Sequence, residues 1–584
     1  MTDNDPGLFF ADDGAPRSAR FGDIYYSLQD GLAESRAVFL GGCHLPDAWQ
    51  ARERFTVLEL GFGTGLNIAA LMQLWADSRP AGSSLHIFSI EGFLMDAAAA
   101  GQALAAWPEL APFAAALLAQ WPAPRQGFHH MDFPQWGVSL TVALSDVKVA
   151  LAAWQGEADA VFLDGFSPAL NAEMWSEEVL ALVGHRCRPG ARLATFTVAG
   201  AVRRGLQAAG FAVEKCPGFG RKRERLEAVF TNGHVGSQGK LVRRVAVVGA
   251  GIAGCALVYQ AGLLGLKVDL FDAQAVGAGA SGNAAALVTP RLDAGNNAIS
   301  ALFADAYAYA GALYRRLCPD AIIGEGLSQV ATGPRDVSRF ARIAGQTIFT
   351  PDDLETFAAG DDVDAPGEAG IHINRALWVR PSEVLEALLE GQKADIRRIS
   401  TMPEGYDAVI LACGDGIFDL METRDRFDLG PVRGQVEFAP VASAPGRALS
   451  WGGYAVPLDR GLLFGATHER GDRGVDVREA DLARNLDSLS RIMPGRVAGI
   501  DGQALQSRAS IRVMTRDYLP AMGEVAPGVY VLTGLGARGF CLAPLLAKAL
   551  LAELTGVSQP LPAAIQNLLN ICRLATDLTM SKRS

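Results

Sequence analysis

The sequence has few of the residues that hold metals or form disulfides. Its 584 residues include eight histidines, which form no HxxxH pair and no cluster with cysteine, so we expect no bound metal. The eight cysteines contain no CxxC pair, which indicates reduced thiols that mostly lie in the core. They stand at positions 43, 187, 216, 255, 318, 413, 541 and 572.

Long apolar runs and an excess of positive charge are also missing. No stretch of about 18 uncharged apolar residues occurs, and the first residues, MTDNDPGLFF, lack the basic and apolar regions of a secretory signal. We therefore expect a cytoplasmic protein with no membrane partner. The net charge of −11 does not favour nucleic-acid binding by the chain as a whole, so only local basic patches can support it.

The length and the spacing of turn residues predict two domains of an α/β protein. A chain of this size is too long for one core. The clearest break is the Gly/Ser-rich stretch at about 231–242, which is followed at once by an apolar strand. We predict a first domain at 1–235, a linker at 236–243 and a second domain at 244–584. Alternating apolar segments at about 320–515 predict an inserted antiparallel-sheet substrate lobe in the second domain.

The first cofactor signature follows a strand at Phe55–Leu60 and precedes a helix at Asn67–Trp75. Its residues are Glu59, Gly61, Gly63 and Gly65. Glycines let the backbone approach a ligand closely, and the helix N-terminus offers unpaired N–H groups. This pattern is typical of S-adenosylmethionine (SAM) methyltransferases.

Three more strands end in acids, as expected for a doubly wound sheet that binds its ligand at the carboxyl edge. Glu91 is placed to bind the ribose hydroxyls, and Asp146 is placed near the adenine. Asp164 enters the turn Gly165–Pro168. The first domain is therefore predicted to have a class I, Rossmann-like methyltransferase fold.

The segment Asp164–Pro168 resembles the Asp/Asn-Pro-Pro-aromatic loop of methyltransferases that act on amino nitrogens. Such a loop needs an acceptor that orients the amine and an aromatic wall against the substrate. We predict that Asp164 is catalytic and that Phe166 contacts the substrate. The alternative is that Asp164 caps the following helix and Phe166 belongs to the core.

The second cofactor signature is a complete GxGxxG motif between a strand and a helix. It consists of Gly249, Gly251 and Gly254, and Asp272 ends the next strand 23 residues after the first glycine. This spacing matches a ribose-binding acid but does not separate NAD from FAD.

Three further segments favour FAD because they resemble parts of amine-oxidising flavoproteins. They are Gly279–Asn283, with Ser281, Gly282 and Asn283; Tyr406–Gly414; and Val529–Gly539, with Gly536 and Arg538. The second domain is therefore predicted to be a FAD-binding Rossmann domain.

The segment Ser510–Pro520 resembles the one that places an arginine above the flavin in D-amino-acid and glycine oxidases. Arg512 is then predicted to be catalytic, gripping a carboxylate while the flavin removes hydride from the neighbouring C–N carbon. The alternative is an arginine in a salt bridge at the edge of a strand.

Together these motifs resemble one bifunctional family, the bacterial enzymes of 5-methylaminomethyl-2-thiouridine biosynthesis in tRNA. The resemblance covers nearly the whole chain and adds Met174–Trp175, Ala194–Thr197, Val202–Leu206, Gly218–Arg223 and Thr515–Asp517 to the motifs above. Two departures stand out. Ala172 replaces the usual proline, and the stretch after Asn283 lacks the usual polar residues and glycine.

The resemblance implies two consecutive reactions on the wobble uridine of the tRNA anticodon loop. The FAD domain would oxidise the carboxymethylaminomethyl side chain at its C–N bond, releasing glyoxylate and leaving a primary amine. The SAM domain would then methylate that amine. We expect a monomer that needs FAD, SAM and tRNA.

Basic clusters near the end of the first domain predict a track for tRNA phosphates. They comprise Arg203, Arg204, Arg221, Lys222, Arg223, Arg225 and the stretch from Lys240 to Arg244. Near the N-terminus, Asp23, Tyr25 and Tyr26 are predicted to help shape the methyl-acceptor pocket, where aromatic rings can stack on a base. Ordinary solvated charges and core tyrosines are the alternatives.

Two rival functions remain open at this stage. One is a fused amine oxidase and N-methyltransferase that acts on a small-molecule amine. The other is a protein in which one half is inactive and only docks RNA. The intact Asp164 loop and the intact Gly249 motif argue against the second rival.

Overall fold

The computed structural model describes residues 8–10, 16–25, 30–220, 222–232, 242–295, 297–362, 364, 367–391, 396–399, 401–421, 426–440, 446–497 and 499–575. The chain forms two compact units. One comprises residues 1–241, 263–265 and 555–563, and the other comprises 242–262, 266–554 and 564–584. Within the described ranges, no helix has the length and apolar character needed to cross a membrane.

The first unit is built on an eight-stranded sheet in the order β5-β6-β4-β3-β7-β8-β10-β9. The strands of this unit are β1 (Leu8–Phe10), β2 (Pro16–Ser18), β3 (Arg54–Leu60), β4 (Ser84–Glu91), β5 (Gly127–Phe133), β6 (Val138–Leu144), β7 (Ala158–Leu163), β8 (Cys187–Thr195), β9 (Phe211–Pro217) and β10 (Glu224–Phe230). Its α-helices are α1 (Gly31–Ser35), α2 (Leu66–Ser78), α3 (Ala97–Leu104), α4 (Ala111–Leu118), α5 (Val147–Ala153), α6 (Glu177–His185) and α7 (Gly200–Ala208).

The central strands of this sheet run parallel, which brings their carboxyl ends to one edge. β3 pairs in parallel with β4 and β7, and β4 pairs in parallel with β6. All six residues of β7 are buried, because a parallel strand in the middle of such a sheet is covered on both faces. The acids predicted from the sequence therefore converge at this edge.

The second unit contains a six-stranded and a ten-stranded sheet. Its strands are β11 (Arg244–Val248), β12 (Lys267–Asp272), β13 (Ala286–Val288), β14 (Ile322–Val330), β15 (Leu354–Phe357), β16 (Gly370–Val379), β17 (Ile396–Arg398), β18 (Ala408–Leu411), β19 (Leu429–Ala439), β20 (Ala448–Ser450), β21 (Tyr454–Leu458), β22 (Gly461–Gly465), β23 (Glu469–Arg470), β24 (Gln506–Thr515), β25 (Ala521–Ala526) and β26 (Val529–Thr533). Its helices are α8 (Ile252–Leu263), α9 (Asn297–Leu317), α10 (Pro334–Ala344), α11 (Pro381–Leu389), α12 (Ile417–Leu420), α13 (Glu479–Ile492), α14 (Pro494–Val497), α15 (Gly539–Thr555) and α16 (Ala563–Leu569).

The six-stranded sheet has the order β17-β12-β11-β18-β26-β25 and is parallel except for the β25–β26 pair. The predicted α/β class is confirmed. The larger sheet is mostly antiparallel, but β14 and β20 pair in parallel. The chain leaves the larger sheet between these two strands to form β17 and β18, and such a long crossover permits a parallel pair. The segment 320–515 therefore contributes strands to both sheets.

Candidate active sites

The turn after β3 is shaped by three glycines that adopt left-handed backbone angles. Gly61, Gly63 and Gly65 have φ values of +94°, +53° and +77°. A Cβ atom at Gly61 would lie 2.9 Å from the backbone oxygen of Asp164, so this close approach of two strand ends requires glycine. At Gly63 the nearest atom to an added Cβ is 3.5 Å away, in the ring of Tyr25. This turn suits the close approach of a nucleoside cofactor such as SAM.

Glu91 holds the same turn from the neighbouring strand. Its carboxylate accepts hydrogen bonds from the backbone N–H groups of Gly63 at 2.9 Å and Phe93 at 2.8 Å. Burial raises the pKa of Glu91, while these backbone donors oppose the rise. Its position at the strand end agrees with the predicted ribose-binding role, which stays a prediction.

Two other predicted cofactor residues have clear structural partners. Glu59 is completely buried and accepts a hydrogen bond from the Ser89 hydroxyl at 2.5 Å. Burial raises its pKa well above the usual range. Glu59 therefore lies beneath the turn, and its predicted contact with the cofactor stays a prediction. Asp146 caps α5, accepting from the N–H groups of Lys148 and Val149.

Asp164 lies at the centre of the candidate methyl-transfer site. One carboxylate oxygen accepts from the N–H of Gly165 at 2.8 Å, and the other accepts from the amide of Asn67 at 2.9 Å. Asn67 in turn accepts from the Ser35 hydroxyl at 2.7 Å. Burial raises the pKa of Asp164 to about 6, so it is ionised at neutral pH. These bonds use both oxygens, and Ser176 caps α6, so the helix-cap alternative for Asp164 does not hold.

Aromatic side chains surround the loop that follows Asp164. Phe166 stacks on Phe21 with ring centroids 4.8 Å apart and meets the edge of Tyr25 at 5.2 Å. Phe21 also contacts Phe93 at 5.5 Å. The carboxylate of Asp23 accepts from the N–H of Ser167 at 2.9 Å, which fixes the segment 16–25 over the loop. Asp23 and Tyr25 therefore contact this loop, and their role in a methyl-acceptor pocket stays a prediction. Tyr26 lies outside the described residues.

The predicted basic track is only partly available for ligands. Lys222 is paired with Glu34 at 2.9 Å and lies 4.2 Å from the Phe196 ring. Arg203 is half-buried on α7, while Arg204 and Arg223 are exposed. Arg221 and Lys240 lie outside the described residues.

Two further arginines of the basic clusters are engaged in contacts with neighbouring residues. Arg225 pairs with Glu227 at 2.6 Å. Arg244 pairs with Asp269 at 2.8 Å and lies over the Tyr406 ring. Both guanidinium groups therefore stabilise the fold locally.

The second glycine-rich turn connects β11 to α8 and leaves no room for side chains. A Cβ atom at Gly254 would lie 1.7 Å from the backbone oxygen of Gly249, and one at Gly249 would lie 2.5 Å from that of Ala412. Asp272 accepts from the N–H groups of Ala250 and Gln274, each at 2.7 Å. The motif is therefore held as a rigid strand–turn–helix with its acid at the turn.

A cavity of about 1270 Å³ extends from this turn across the second unit. Its lining includes Gly249, Gly251, Asp272, Ser281, Asn283, Arg512, Gly536 and Arg538. Two lining hydroxyls, those of Thr289 and Thr533, are buried without a hydrogen-bond partner among the described residues. A cavity of this size with unpaired polar groups fits an extended dinucleotide such as FAD.

The segment 278–283 is tied to β24 by one arginine. Arg508 donates to the side-chain oxygen of Asn283 at 2.7 Å and to the backbone oxygens of Ala278 and Gly279. The hydroxyl of Ser281 accepts from the N–H of Ile252 at 3.0 Å. Position 282 accepts only glycine, because an added Cβ atom would lie 2.2 Å from the backbone oxygen of Gly277. These residues are brought together with the GxGxxG turn, and their contact with FAD stays a prediction.

A smaller cavity of about 310 Å³ shares part of its wall with the large one. Arg512, Gly536 and Arg538 line both cavities, and Arg291 and His468 line only the smaller one. Buried donor groups of two of these arginines, Nε of Arg538 and Nη1 of Arg291, have no partner in the described part of the chain. Three guanidinium groups beside the flavin cavity suit a carboxylate-bearing substrate.

Arg512 lies on β24, which pairs with β19, and its guanidinium donates to the backbone oxygen of Thr467 at 3.3 Å. Burial lowers its pKa. No salt bridge to Arg512 occurs among the residues that the structure describes. Among these residues, Arg512 therefore has no carboxylate partner of the kind that the salt-bridge alternative requires.

Several residues of both sites were not found from the sequence. Phe21, Ser35, Arg291, His468 and Arg508 come from segments with no recognisable motif, so only the fold brings them in. Asn67 stands at the start of the helix that follows the first glycine-rich turn and offered a signal, since an amide in the first turn of this helix can reach the next strand end. No group of three or more potential metal ligands occurs in the described ranges.

Two family models match separate parts of the chain. A family model described as S-adenosyl-L-methionine-dependent methyltransferase matches residues 108–231. A second, described as FAD dependent oxidoreductase, matches residues 244–554. The predicted cofactors, SAM and FAD, and the predicted bifunctional enzyme are thereby confirmed.

Full-length relatives and solved structures are also similar to the chain. The tRNA 5-methylaminomethyl-2-thiouridine biosynthesis bifunctional protein MnmC of Caulobacter sp. (strain K31) is 46% identical, with 97% of this chain and 98% of that protein covered. The protein of the same name from Caulobacter vibrioides is 46% identical with 100% of both covered. Glycine oxidase from Geobacillus kaustophilus is 20% identical with a TM-score of 0.47, covering 54% of this chain and 95% of that one. The chain therefore belongs to the family of bifunctional proteins of tRNA 5-methylaminomethyl-2-thiouridine biosynthesis.

Proposed function

We propose that the protein acts on the wobble uridine in the anticodon loop of tRNA, first by oxidation and then by methylation. The second domain, 244–584, removes the carboxymethyl group from 5-carboxymethylaminomethyl-(2-thio)uridine. The first domain, 1–235, methylates the resulting 5-aminomethyl group. We further propose that it works as a monomer in the cytoplasm.

The two steps balance chemically on the substrate side chain. Bound FAD supplies a hydride acceptor, and bound SAM supplies an electrophilic methyl group. Loss of hydride from the carbon between the nitrogen and the carboxylate, together with loss of the N–H proton, leaves a C=N bond. Water then splits this bond into glyoxylate and a primary amine. That amine is the nucleophile for methylation. The product of the first step is thus the substrate of the second.

The observation that carries this proposal is the cavity with three arginines beside the flavin cavity. The side chain of the proposed substrate ends in a carboxylate one carbon from the nitrogen. Arg512 and Arg538 line both cavities, so a carboxylate held between them lies next to the carbon that is oxidised. The unpaired buried donors of Arg538 and Arg291 gain partners when an anion binds.

Asp164 is proposed to act on the amine in the methylation step. An alkylammonium has no free electron pair, so the nitrogen must lose a proton before it attacks the methyl group. With a pKa of about 6, the Asp164 carboxylate is ionised at neutral pH and accepts that proton or the N–H hydrogen bond. Phe166 and Tyr25 form an aromatic wall that excludes water and packs against the base.

A direct test is anaerobic titration of the flavin-loaded protein with tRNA that carries the carboxymethylaminomethyl group. We expect the yellow flavin absorbance to bleach and one glyoxylate to form per modified tRNA. Unmodified tRNA is the control. If sarcosine, a small N-alkylglycine, reduces the flavin and the modified tRNA does not, the small-amine alternative replaces this proposal.

For tRNA binding we propose a contribution from exposed Arg204 and Arg223, with Arg203, Arg221 and Lys222 nearby in sequence. Phosphate contacts make affinity fall with salt. Replacing either exposed arginine with alanine is expected to weaken tRNA binding and to lower the salt slope by about 1. Binding and slope equal to those of the wild type would exclude that residue from the interface.

A further inference from the structure

Tyr518 has a backbone conformation that a bulky side chain rarely adopts. Its φ angle is +60°, and among the residues described only one other non-glycine residue, His44, has a positive φ. Left-handed backbone is unfavourable for residues with a Cβ atom. Such outliers persist where the surrounding structure enforces them and often occur at functional sites.

The turn that presents Tyr518 is held from several sides. The Thr515 hydroxyl donates to the Leu519 backbone oxygen at 2.7 Å, and Asp517 accepts from the N–H of Leu519 at 3.1 Å. Arg573 pairs with Asp517 at 2.9 Å and donates to the same Leu519 oxygen. The neighbours therefore fix the turn without any contribution from the Tyr518 ring.

The ring itself contributes little to the core. It is 48% exposed, among the largest exposures of an apolar or aromatic side chain in the described chain. The guanidinium of Arg470 lies 5.1 Å from the ring centroid and supports one face. Tyr518 also lines the 310 Å³ cavity together with Arg512 and Arg538. A strained, rigidly held and exposed aromatic ring thus stands at the cavity where the carboxylate is proposed to bind.

We propose that Tyr518 is a stacking platform for the pyrimidine ring of the substrate nucleotide in the oxidation step. This inference rests on the proposed function and identifies a residue that recognises the base rather than the reacting side chain. Stacking on Tyr518 holds the base at the cavity mouth while its C5 side chain enters toward Arg512. The cation beside the ring strengthens such stacking, and it also favours the anionic backbone of RNA.

The test variant is Tyr518→Gly, because glycine removes the ring and accepts the left-handed conformation without strain. We expect the KM for carboxymethylaminomethyl-tRNA in oxidation to rise by about 5- to 100-fold, the range for loss of one stacked base. Tyr518→Phe, which keeps the ring, should stay within about twofold of the wild type. Val337→Ala is the matched control, since Val337 is 45% exposed on a helix of the same unit.

Four further measurements separate stacking from other roles. The rise in KM should be the same at low and high salt, because stacking is not a phosphate contact. Flavin content and melting temperature should not fall, and methylation of aminomethyl-tRNA should keep its rate. An unchanged KM in Tyr518→Gly, or an equal rise in Tyr518→Phe, overturns the platform. If the wild type itself does not oxidise the tRNA, the proposed function fails instead.

Discussion

Replacement of Asp164 by asparagine should abolish methylation and at the same time stabilise the first unit. The charged carboxylate is partly buried, and burial raises its pKa from 3.8 to about 6. Folding at neutral pH therefore requires an ionised group in a place that favours the neutral form. An amide of the same shape has no charge to bury.

The hydrogen bonds around Asp164 can adapt to this change. Asp164 accepts from Gly165 and Asn67, and Asn67 accepts from the Ser35 hydroxyl. If the Asn67 amide turns over, its oxygen accepts from the new amide nitrogen, and its nitrogen donates to the Ser35 oxygen. The Gly165 N–H keeps an oxygen acceptor. The cost of this change is the Ser35 O–H group, which loses the Asn67 oxygen as its acceptor.

The magnitude follows from the two pKa values. They differ by about 2.2 pH units, which corresponds to about 3 kcal/mol at neutral pH. Because the side chain is partly exposed, solvent screening reduces this destabilisation. We therefore expect Asp164→Asn to raise the free energy of unfolding by about 1–2 kcal/mol. For a unit of this size that raises the melting temperature by about 2–8 °C.

The effect should depend on pH in a defined direction. The folded wild type keeps its proton up to about pH 6, whereas the unfolded chain loses it near 3.8. The free energy of unfolding of the wild type therefore decreases as the pH rises from 3.8 to about 6. Above about pH 6 this loss of stability is constant. The advantage of Asp164→Asn should be full at pH 7.5 and should shrink toward zero near pH 4.

Melting of the first unit, followed by calorimetry at pH 7.5 and pH 4.5, measures this difference. Asp96→Asn is the matched control, because Asp96 is an exposed N-cap of α3 and asparagine caps helices equally well. Methylation of aminomethyl-tRNA is measured on the same samples. A variant that is less stable than the wild type at pH 7.5, or a difference that does not change with pH, would refute the reasoning.

The remaining predictions concern the cofactor turns and the carboxylate. Gly254→Ala should lose FAD, because the new Cβ atom would lie 1.7 Å from the Gly249 backbone oxygen. Methylation by this variant should continue, and a purified variant that is still yellow with flavin would contradict the prediction. Arg512→Ala should keep FAD but raise the KM for oxidation of the modified tRNA about 10- to 100-fold, which stopped-flow bleaching measures. Glu91→Gln should raise the KM for SAM about tenfold through the loss of its anionic acceptor beside Gly63, and an unchanged KM would exclude it from the site.

The two turns and the fold class could be predicted because their signals are local. Each signature combines a strand, a glycine-rich turn and a helix within a short segment, and each predicted acid directly ends an apolar strand. The left-handed angles at Gly61 and Gly65 and the clash at Gly254 show why those positions require glycine. Local sequence contains this information directly.

The enclosures around the sites could not be predicted, because their members are far apart in the chain. Phe21 stacks on Phe166, although the two residues are 145 positions apart in the sequence. Arg291 lines one cavity with Arg512 and Arg538, although it lies more than 200 residues before them in the sequence. No spacing rule joins such residues. The complete burial of Glu59 likewise follows from the packing of the fold and not from its place in the glycine-rich signature.

The measurement that tests the central claim most directly is mass-spectrometric nucleoside analysis of carboxymethylaminomethyl-tRNA incubated with the purified protein. The account predicts loss of the carboxymethyl mass without SAM and gain of one methyl group when SAM is added. A nucleoside that stays unchanged with a protein that carries flavin, or one that gains a methyl group without first losing the carboxymethyl group, would contradict the account.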